Sequence, residues 1–207
     1  MRDDALLASL TDASRHNPKH RKILLNETDA LNPADLQRRL IQAPDNPQVA
    51  QLIRTVMAEF GCVGQGYSCE DAEVDNMFDA YADSRASFWV IAKDDQILGG
   101  GGVAPLEGGP PDVCEIKKMY FYPDIRGLGL GKQLLGHCID FAATAGYHTC
   151  YIETTSQMKS AIRLYKAFGF ETLAGPLGNT GHHGCDVCLQ LKLTSQSGIR
   201  RRNTESD

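Results

Sequence analysis

The stretch DIRGLGLGK, residues 124–132, decides how this sequence folds. It places glycine at every second position between a predicted strand that ends at Pro123 and a predicted helix that begins near Leu130. Glycines at a strand-to-helix turn let backbone amides converge on an anion at the positive end of the helix. Arg126 and Lys132 can add charge-assisted bonds to phosphate oxygens. The stretch therefore predicts a phosphate or pyrophosphate site.

Two common phosphate-binding motifs do not fit this stretch. A P-loop requires glycine at 126 and serine or threonine at 133, but the sequence has Arg126 and Gln133. A dinucleotide fingerprint that starts at Gly127 requires glycine at 132, where Lys132 stands. The pattern that remains is R-x-x-G-x-G, formed by Arg126, Gly129 and Gly131.

The hydrophobic spacing along the chain predicts four helices and six strands. The predicted helices are 46–60, 74–81, 130–145 and 161–168. The predicted strands are 39–44, two within 87–106, 114–123, 149–154 and 187–193. The order β-α-α-β-β-β-α-β-α-β favours one α/β domain over residues 38–194, a mixed sheet with helices packed on it. The four glycines at 99–102 are expected to mark a bulge or a strand edge rather than a ligand contact.

The bulk properties are those of a soluble globular protein. Of the 207 residues, 42% are hydrophobic, 23% are charged, and the net charge is −5, which gives no general attraction to nucleic acid. No apolar run is long enough to span a membrane, and the N-terminus lacks a signal-peptide pattern. The seven cysteines are therefore expected to be reduced thiols in a cytoplasmic protein.

The two ends of the chain differ from the predicted domain. Residues 1–37 are polar and contain two Asn-Pro breakers, so they are expected to form an N-terminal extension. Residues 195–207 are expected to form a flexible tail. The three arginines at 200–202 are followed by acidic residues, which favours a solvated run over a binding patch.

Residues 114–170 resemble the GNAT superfamily of acyl-CoA-dependent N-acetyltransferases. The resemblance rests on R-x-x-G-x-G after a strand that ends in proline, followed by AIRLYKAFGF at 161–170. It implies a single-domain fold with a mixed, mostly antiparallel sheet flanked by helices. It also implies acetyl-CoA as the co-substrate.

The resemblance assigns two groups of residues to the cofactor. One stretch of backbone would lie beside the pantetheine, where the Met119 amide would stabilise the oxyanion, a contribution worth about 10²–10³ in rate. The other group would hold the pyrophosphate. The residues carried over are Met119, Tyr120 and Phe121 for the pantetheine, and Arg126, Gly127, Leu128, Gly129, Leu130, Gly131 and Lys132 for the pyrophosphate.

Acetyl transfer to an amine needs a proton donor for the departing thiolate. Tyr165 matches the family's tyrosine and is the predicted acid. The alternative is a core tyrosine, because Tyr165 shares an apolar helix face with Leu164 and Phe168. The resemblance favours catalysis over that alternative.

The reaction also needs a base, because a free amine is mostly protonated at neutral pH. Glu115 is the candidate base, at the position of the strand carboxylate that some GNAT members use. Other members use water or a different residue, and Glu153 on the neighbouring strand is a rival. The remaining alternative makes Glu115 a solvated strand residue paired with Lys117.

The stretch GHHGCDVC, residues 181–188, contains the zinc-capable side chains of His182, His183, Cys185 and Cys188. Cys185 and Cys188 differ in strand parity and are expected to face opposite ways. These side chains are therefore expected to belong to a loop or to line the acceptor pocket, and no metal is expected.

The predicted activity is direct transfer of an acetyl group from acetyl-CoA to a primary amine in a ternary complex. The acceptor is expected to be a small molecule chosen partly by the loop at 61–72. Protein lysines, protein N-termini or a non-catalytic CoA-binding module remain alternatives. No nucleic-acid or membrane partner is expected, and a homodimer is possible.

Overall fold

The computed structural model describes residues 32–193 of the chain. The expectations for the N-terminal extension before residue 32 and for the tail at 195–207, with its three arginines, lie outside the described residues. The first strand begins at Gln37, one residue before the expected domain boundary.

The described chain forms seven strands and four α-helices. The strands are β1 (Gln37–Leu40), β2 (Ser87–Lys93), β3 (Gln96–Pro105), β4 (Val113–Phe121), β5 (Thr149–Thr154), β6 (Glu171–Thr172) and β7 (Val187–Lys192). The helices are α1 (Asn46–Glu59), α2 (Met77–Ala80), α3 (Leu130–Thr144) and α4 (Lys159–Ala167). Short 3-10 helices are Pro33–Asp35, Ala43–Asp45, Ser68–Glu70, Ala72–Asn76 and Pro123–Ile125.

The strands of the described residues form one sheet in the order β1-β2-β3-β4-β5-β7-β6. Neighbouring strands are antiparallel except β4 and β5, which are parallel. This confirms the expected mixed, mostly antiparallel sheet. Strand β6 was not predicted, because two residues are too short to show a hydrophobic period.

Helices cover both faces of the sheet. On one face α1 and α2 pack against Phe88 and Val90, and on the other α3 and α4 pack in the same cluster as Trp89. This follows from the strand period, which sends successive side chains of β2 to opposite faces. In the part of the chain that the structure describes, no helix is both long and apolar enough to cross a bilayer.

The second predicted helix is shorter than its spacing indicated. Residues 72–76 form a 3-10 helix, and only Met77–Ala80 is α-helical. The break falls at Asn76, whose φ of −138° and ψ of 51° are not helical. Val74, Met77 and Tyr81 of the predicted apolar face are nonetheless buried, whereas Phe78, the fourth residue of that face, is 40% exposed.

The glycine run lies within the interior strand β3 and coincides with a β-bulge. Two residues of β4, Lys118 and Met119, face the single residue Gly101 where the register of β3 and β4 shifts. The expected bulge is therefore confirmed. Glycine also permits close packing here, since a Cβ on Gly102 would lie 2.6 Å from the ring of Tyr81.

Candidate active site

A cleft opens where β4 and β5 separate. Their parallel pairing ends at Glu115 and Tyr151, although β4 continues to Phe121 and β5 to Thr154. The residues that line the cleft include Ser68, Met119, Tyr120, Thr154, Met158 and Tyr165. The predicted acid and two of the predicted cofactor residues therefore share one cleft.

A second cavity, of about 290 Å³, adjoins this cleft. Glu115, Lys117 and His182 line both spaces, so the two meet at these side chains. The other walls of the cavity are Asp71, Ala72, Glu73, Glu107 and Thr180. The loop expected to choose the acceptor thus contributes its last residues to this cavity.

The glycine turn that leads into α3 requires left-handed backbone at two positions. Gly127 has φ of +79° and Gly129, the N-cap of α3, has φ of +80°. Residues other than glycine rarely adopt this left-handed backbone conformation. Gly131 lies inside the helix, and a Cβ there would make ordinary contacts at 3.6 Å with Leu164. The fold alone therefore demands glycine at 127 and 129 but not at 131.

Two cationic side chains flank this turn: Arg126 forms an ion pair, and Lys132 is exposed. The guanidinium of Arg126 forms a bidentate ion pair with Glu59 at the end of α1, with Nη2 2.8 Å from Oε2. Its Nε donates to the carbonyl oxygen of Phe121 at 2.8 Å. Lys132 is exposed on the first turn of α3, and no ion-pair partner for it lies within residues 32–193. The Arg126 side chain thus joins α1 to the end of β4.

The three predicted pantetheine neighbours lie along the last part of β4. Met119 and Tyr120 line the cleft, and the Tyr120 hydroxyl is 3.1 Å from that of Ser68. Phe121 contributes its carbonyl oxygen to Arg126 as described above. The contact between Tyr120 and Ser68 ties the end of β4 to the segment that follows α1.

Tyr165 lies on α4 and is 6% exposed. Its ring packs against Phe170 at a centroid distance of 6.0 Å, so it belongs to the core, as the alternative interpretation required. Tyr165 is nevertheless among the residues that line the cleft, and among the described residues none forms a hydrogen bond that shifts the pKa of its hydroxyl. Burial raises the pKa of Tyr165 above its usual value, which keeps the hydroxyl protonated.

Glu115 is buried, with 2% of its surface exposed, so the solvated alternative is wrong. Within the described chain its carboxylate accepts no hydrogen bond, and its shortest ionic contact is the 4.0 Å approach of His182 Nδ1. Burial raises the pKa of Glu115, and the charge of Glu153 acts in the same direction, while Lys117 and His182 oppose them. A carboxyl with a raised pKa and a free lone pair is suited to accept a proton.

Glu153, unlike Glu115, accepts hydrogen bonds from neighbouring side chains. It accepts hydrogen bonds from the Tyr151 hydroxyl at 2.6 Å, the Thr180 hydroxyl at 2.7 Å and His182 Nδ1 at 3.2 Å. Burial acts to raise the pKa of Glu153, but the hydrogen bonds from His182, Tyr151 and Thr180 lower it. These contacts make Glu153 a weaker base than Glu115.

His182 bridges two carboxylates. Its Nε2 lies 3.1 Å from Asp71 and its Nδ1 lies 3.2 Å from Glu153. Burial acts to lower the pKa of His182, but the hydrogen bonds to Asp71 and Glu153 raise it to about 9. The imidazolium therefore donates from both nitrogens at neutral pH. The sequence placed His182 in a pocket wall but gave no sign of this pairing, because Asp71 lies 111 positions away.

The zinc alternative does not fit the four side chains considered for it. His183 is exposed, and Cys188 packs in a core cluster with Tyr151. His182 is engaged by the two carboxylates, while Cys185 faces the cleft. Among the described residues, the group of potential ligands that does converge is Glu115, Glu153 and His182.

Comparison with known proteins agrees with this geometry. The model of the acetyltransferase (GNAT) family matches residues 50–170. The N-acetyltransferase YjgM of Escherichia coli (strain K12) is 42% identical over 156 residues, which cover 75% of this chain and 93% of YjgM.

Solved structures support the same fold. A GNAT-family acetyltransferase from Staphylococcus aureus MU50 superposes with a TM-score of 0.68 at 19% identity, covering 77% of this chain and 99% of that one. The yncA acetyltransferase of Salmonella typhimurium, solved with its cofactor acetyl-CoA, gives 0.61 at 20% identity, covering 79% and 97%. The chain therefore belongs to the acetyltransferase (GNAT) family: it is an acyl-CoA-dependent N-acetyltransferase, and acetyl-CoA is the co-substrate of this family.

Proposed function

We propose that this enzyme transfers the acetyl group directly from acetyl-CoA to the primary amine of a small molecule while both substrates are bound. The observation that carries the proposal is the position of Glu115. Its buried carboxylate, without a hydrogen bond from any described residue, lies where the cleft and the 290 Å³ cavity meet. The cleft would hold the thioester end of the cofactor and the cavity would hold the acceptor.

The charges around this junction support binding of the acceptor as an ammonium ion. Six charged side chains pair with one another, three acids with three cations, and so cancel. They are Asp71, Glu73 and Glu153 with Lys117, Lys118 and His182. Glu115 is left with only the 4.0 Å contact to His182, which already pairs with Asp71 and Glu153, and a buried carboxylate that is so weakly paired is unfavourable. An incoming ammonium group would supply that charge and give its proton to Glu115.

The neutral amine would then attack the carbonyl carbon of the thioester. The new carbon–nitrogen bond forms as the electron pair moves to the oxygen, where the Met119 amide would stabilise the negative charge. The carbon–sulfur bond breaks as the oxyanion collapses, and the thiolate leaves. The Tyr165 hydroxyl, kept protonated by its raised pKa, would give its proton to that sulfur, and the nitrogen, positively charged after the attack, would lose its extra proton and so restore the hydroxyl. No covalent enzyme intermediate is needed.

The size of the cavity supports a small acceptor. Small-molecule sites have volumes of roughly 300–1,000 Å³, and a cavity of about 290 Å³ is at the lower end. The segment at 71–73 contributes to its lining, as do Thr180 and His182. A protein lysine or N-terminus would need room for neighbouring residues of the polypeptide.

A substrate panel tests the proposal. Purified protein with acetyl-CoA is offered small primary amines and, separately, peptides with free lysines or N-termini, while CoA release and product mass are measured. We expect acetylation of small amines, with initial-rate lines that intersect when both substrates are varied. Preference for peptides would refute the acceptor class, and parallel lines would refute direct transfer.

A further inference from the structure

Lys118 combines two unfavourable features in the middle of β4. Its side chain is fully buried, with none of its surface exposed. Its backbone has a left-handed φ of +56°, which a residue with a Cβ rarely adopts. The other described non-glycine residue with positive φ, Asp94, lies in the turn between β2 and β3, where such a conformation is common. An unfavourable conformation inside a strand persists only where its surroundings enforce it.

The conformation of Lys118 belongs to the bulge opposite Gly101. Because the bulge inserts a residue, Lys118 turns to the same side as its neighbour Lys117 instead of the opposite face. Both ammonium groups consequently reach Glu73 Oε1, at 2.7 Å from Lys118 and 3.0 Å from Lys117. The residue that follows Lys118 is Met119, whose amide is the proposed oxyanion donor.

The Lys118 ammonium also contacts Asp71 Oδ2 at 2.6 Å. Asp71 in turn pairs with His182, which contacts Glu153. Lys118 therefore connects the bulge of β4 to the 3-10 segment after α1, and through it to the acceptor cavity. The ion pairs compensate for burying its charge, so they hold the residue at a position that its backbone conformation disfavours.

We infer that Lys118 is a positioning residue for acetyl transfer: its ion pairs with Asp71 and Glu73 hold the left-handed bulge that directs the Met119 amide at the thioester. The inference rests on the proposed role of that amide. Since the pyrophosphate turn is a separate part of the chain, loss of the bulge should affect turnover much more than cofactor affinity.

A pair of substitutions separates this role from a purely structural one. Lys118→Met removes the ion pairs and keeps a Cβ, so the bulge should relax and kcat should fall about 10- to 100-fold, part of the loss of a full oxyanion donor. Lys118→Gly also removes the ion pairs, but glycine adopts positive φ without penalty. We therefore expect Lys118→Gly to retain several-fold more kcat than Lys118→Met, with KM for acetyl-CoA within about threefold of wild type in both.

A matched control is Lys93→Met, which removes another ion-paired strand lysine, bound to Asp35 at 3.8 Å, and should leave kcat unchanged. If Lys118 only stabilises the fold, both variants would share the wild-type kcat per folded molecule, and the inference would be overturned. Equal losses in the two variants would overturn it as well.

If the Lys118 variants fail to fold, Glu73→Gln tests the same inference. This substitution preserves the shape of the side chain at position 73 and weakens its ionic contact with Lys118, so kcat should fall about 3- to 10-fold. An unchanged kcat refutes the inference. All rates use the acceptor that the wild type acetylates best, small amine or peptide. A wrong acceptor class would thus refute the proposed function and leave this test intact.

Discussion

The glycine turn after β4 and the 290 Å³ cavity proposed to hold the acceptor are built in different ways. The turn is a short continuous segment whose main requirement is backbone conformation, with positive φ at Gly127 and Gly129. The cavity is assembled from side chains of segments as far as 111 positions apart, whose main requirement is balanced charge. Substitutions that change conformation should therefore disturb cofactor binding, and substitutions that change charge should disturb chemistry and its pH dependence.

The largest expected effect comes from the proposed base, Glu115. Glu115→Gln keeps the shape of the side chain but removes proton acceptance, so kcat/KM at neutral pH should fall about 10²- to 10⁴-fold. The acidic limb of the pH–rate profile should disappear. Because burial raises the pKa of Glu115, ionisation above that pKa opposes folding, and the variant should be more stable than wild type at neutral pH.

The measurements for Glu115→Gln are steady-state rates from pH 5 to 9 and urea unfolding. Glu171→Gln, an exposed change on β6, is the control and should alter neither. A Glu115→Gln enzyme that keeps its acidic limb would transfer the role of base to water or to Glu153.

The next largest effect tests the difference between two glycines of the turn. Gly129→Ala forces a Cβ onto a backbone with φ of +80°, a strain of about 1–2 kcal/mol, so acetyl-CoA should bind roughly 5- to 30-fold more weakly. Gly131→Ala introduces no such strain, since its Cβ would meet ordinary contacts, and alanine favours the helix by about 0.5–1 kcal/mol.

Calorimetric titration with acetyl-CoA and thermal unfolding compare the two variants. If Gly131→Ala raises the melting temperature yet weakens binding, the second glycine of the motif is required by the bound cofactor and not by the fold. If Gly129→Ala binds as tightly as wild type, the conformational account of the turn is wrong.

The contrast between the turn and the cavity also explains which features could be predicted from the sequence. Motif spacing located the turn, β4, α3 and the helix of Tyr165, because each depends on residues close in the chain. It favoured Glu115 over Glu153 only by the position carried over from the family, because the hydrogen bonds from Tyr151, Thr180 and His182 that set Glu153 apart are brought together only by the fold. The sequence also gave no indication of how Lys118 is held.

A third prediction concerns pH and His182. Its pKa is raised from 6.5 to about 9 by its carboxylate partners, so its contribution to stability is complete below about pH 6.5 and is lost as pH rises through 9. The shift corresponds to a contribution on the order of 3 kcal/mol. Urea unfolding at pH 6 and pH 9 should reveal this loss in the wild type but not in His182→Gln. His183→Gln, an exposed neighbour, should behave as wild type.

The smallest expected effect concerns the ion pair between Glu59 and Arg126 at the edge of the turn. Glu59 and Arg126 are both partly exposed, at 41% and 33% of their side chains, and such pairs are worth about 0–1 kcal/mol. Glu59 nevertheless places a negative charge beside the proposed pyrophosphate site and occupies the Arg126 guanidinium. Glu59→Gln should therefore tighten acetyl-CoA binding by about two- to fivefold at low salt, with the gain reduced at 0.5 M salt by screening.

Arg126→Gln separates the two roles that this arginine can have. If the guanidinium served mainly to bind phosphate, its loss would weaken acetyl-CoA binding whether or not Glu59 is present. If it serves mainly to neutralise Glu59 and fix the end of β4, the double variant Glu59→Gln, Arg126→Gln should recover most of the affinity that Arg126→Gln loses. We expect this recovery, because the observed contacts of the guanidinium are with Glu59 and the Phe121 carbonyl.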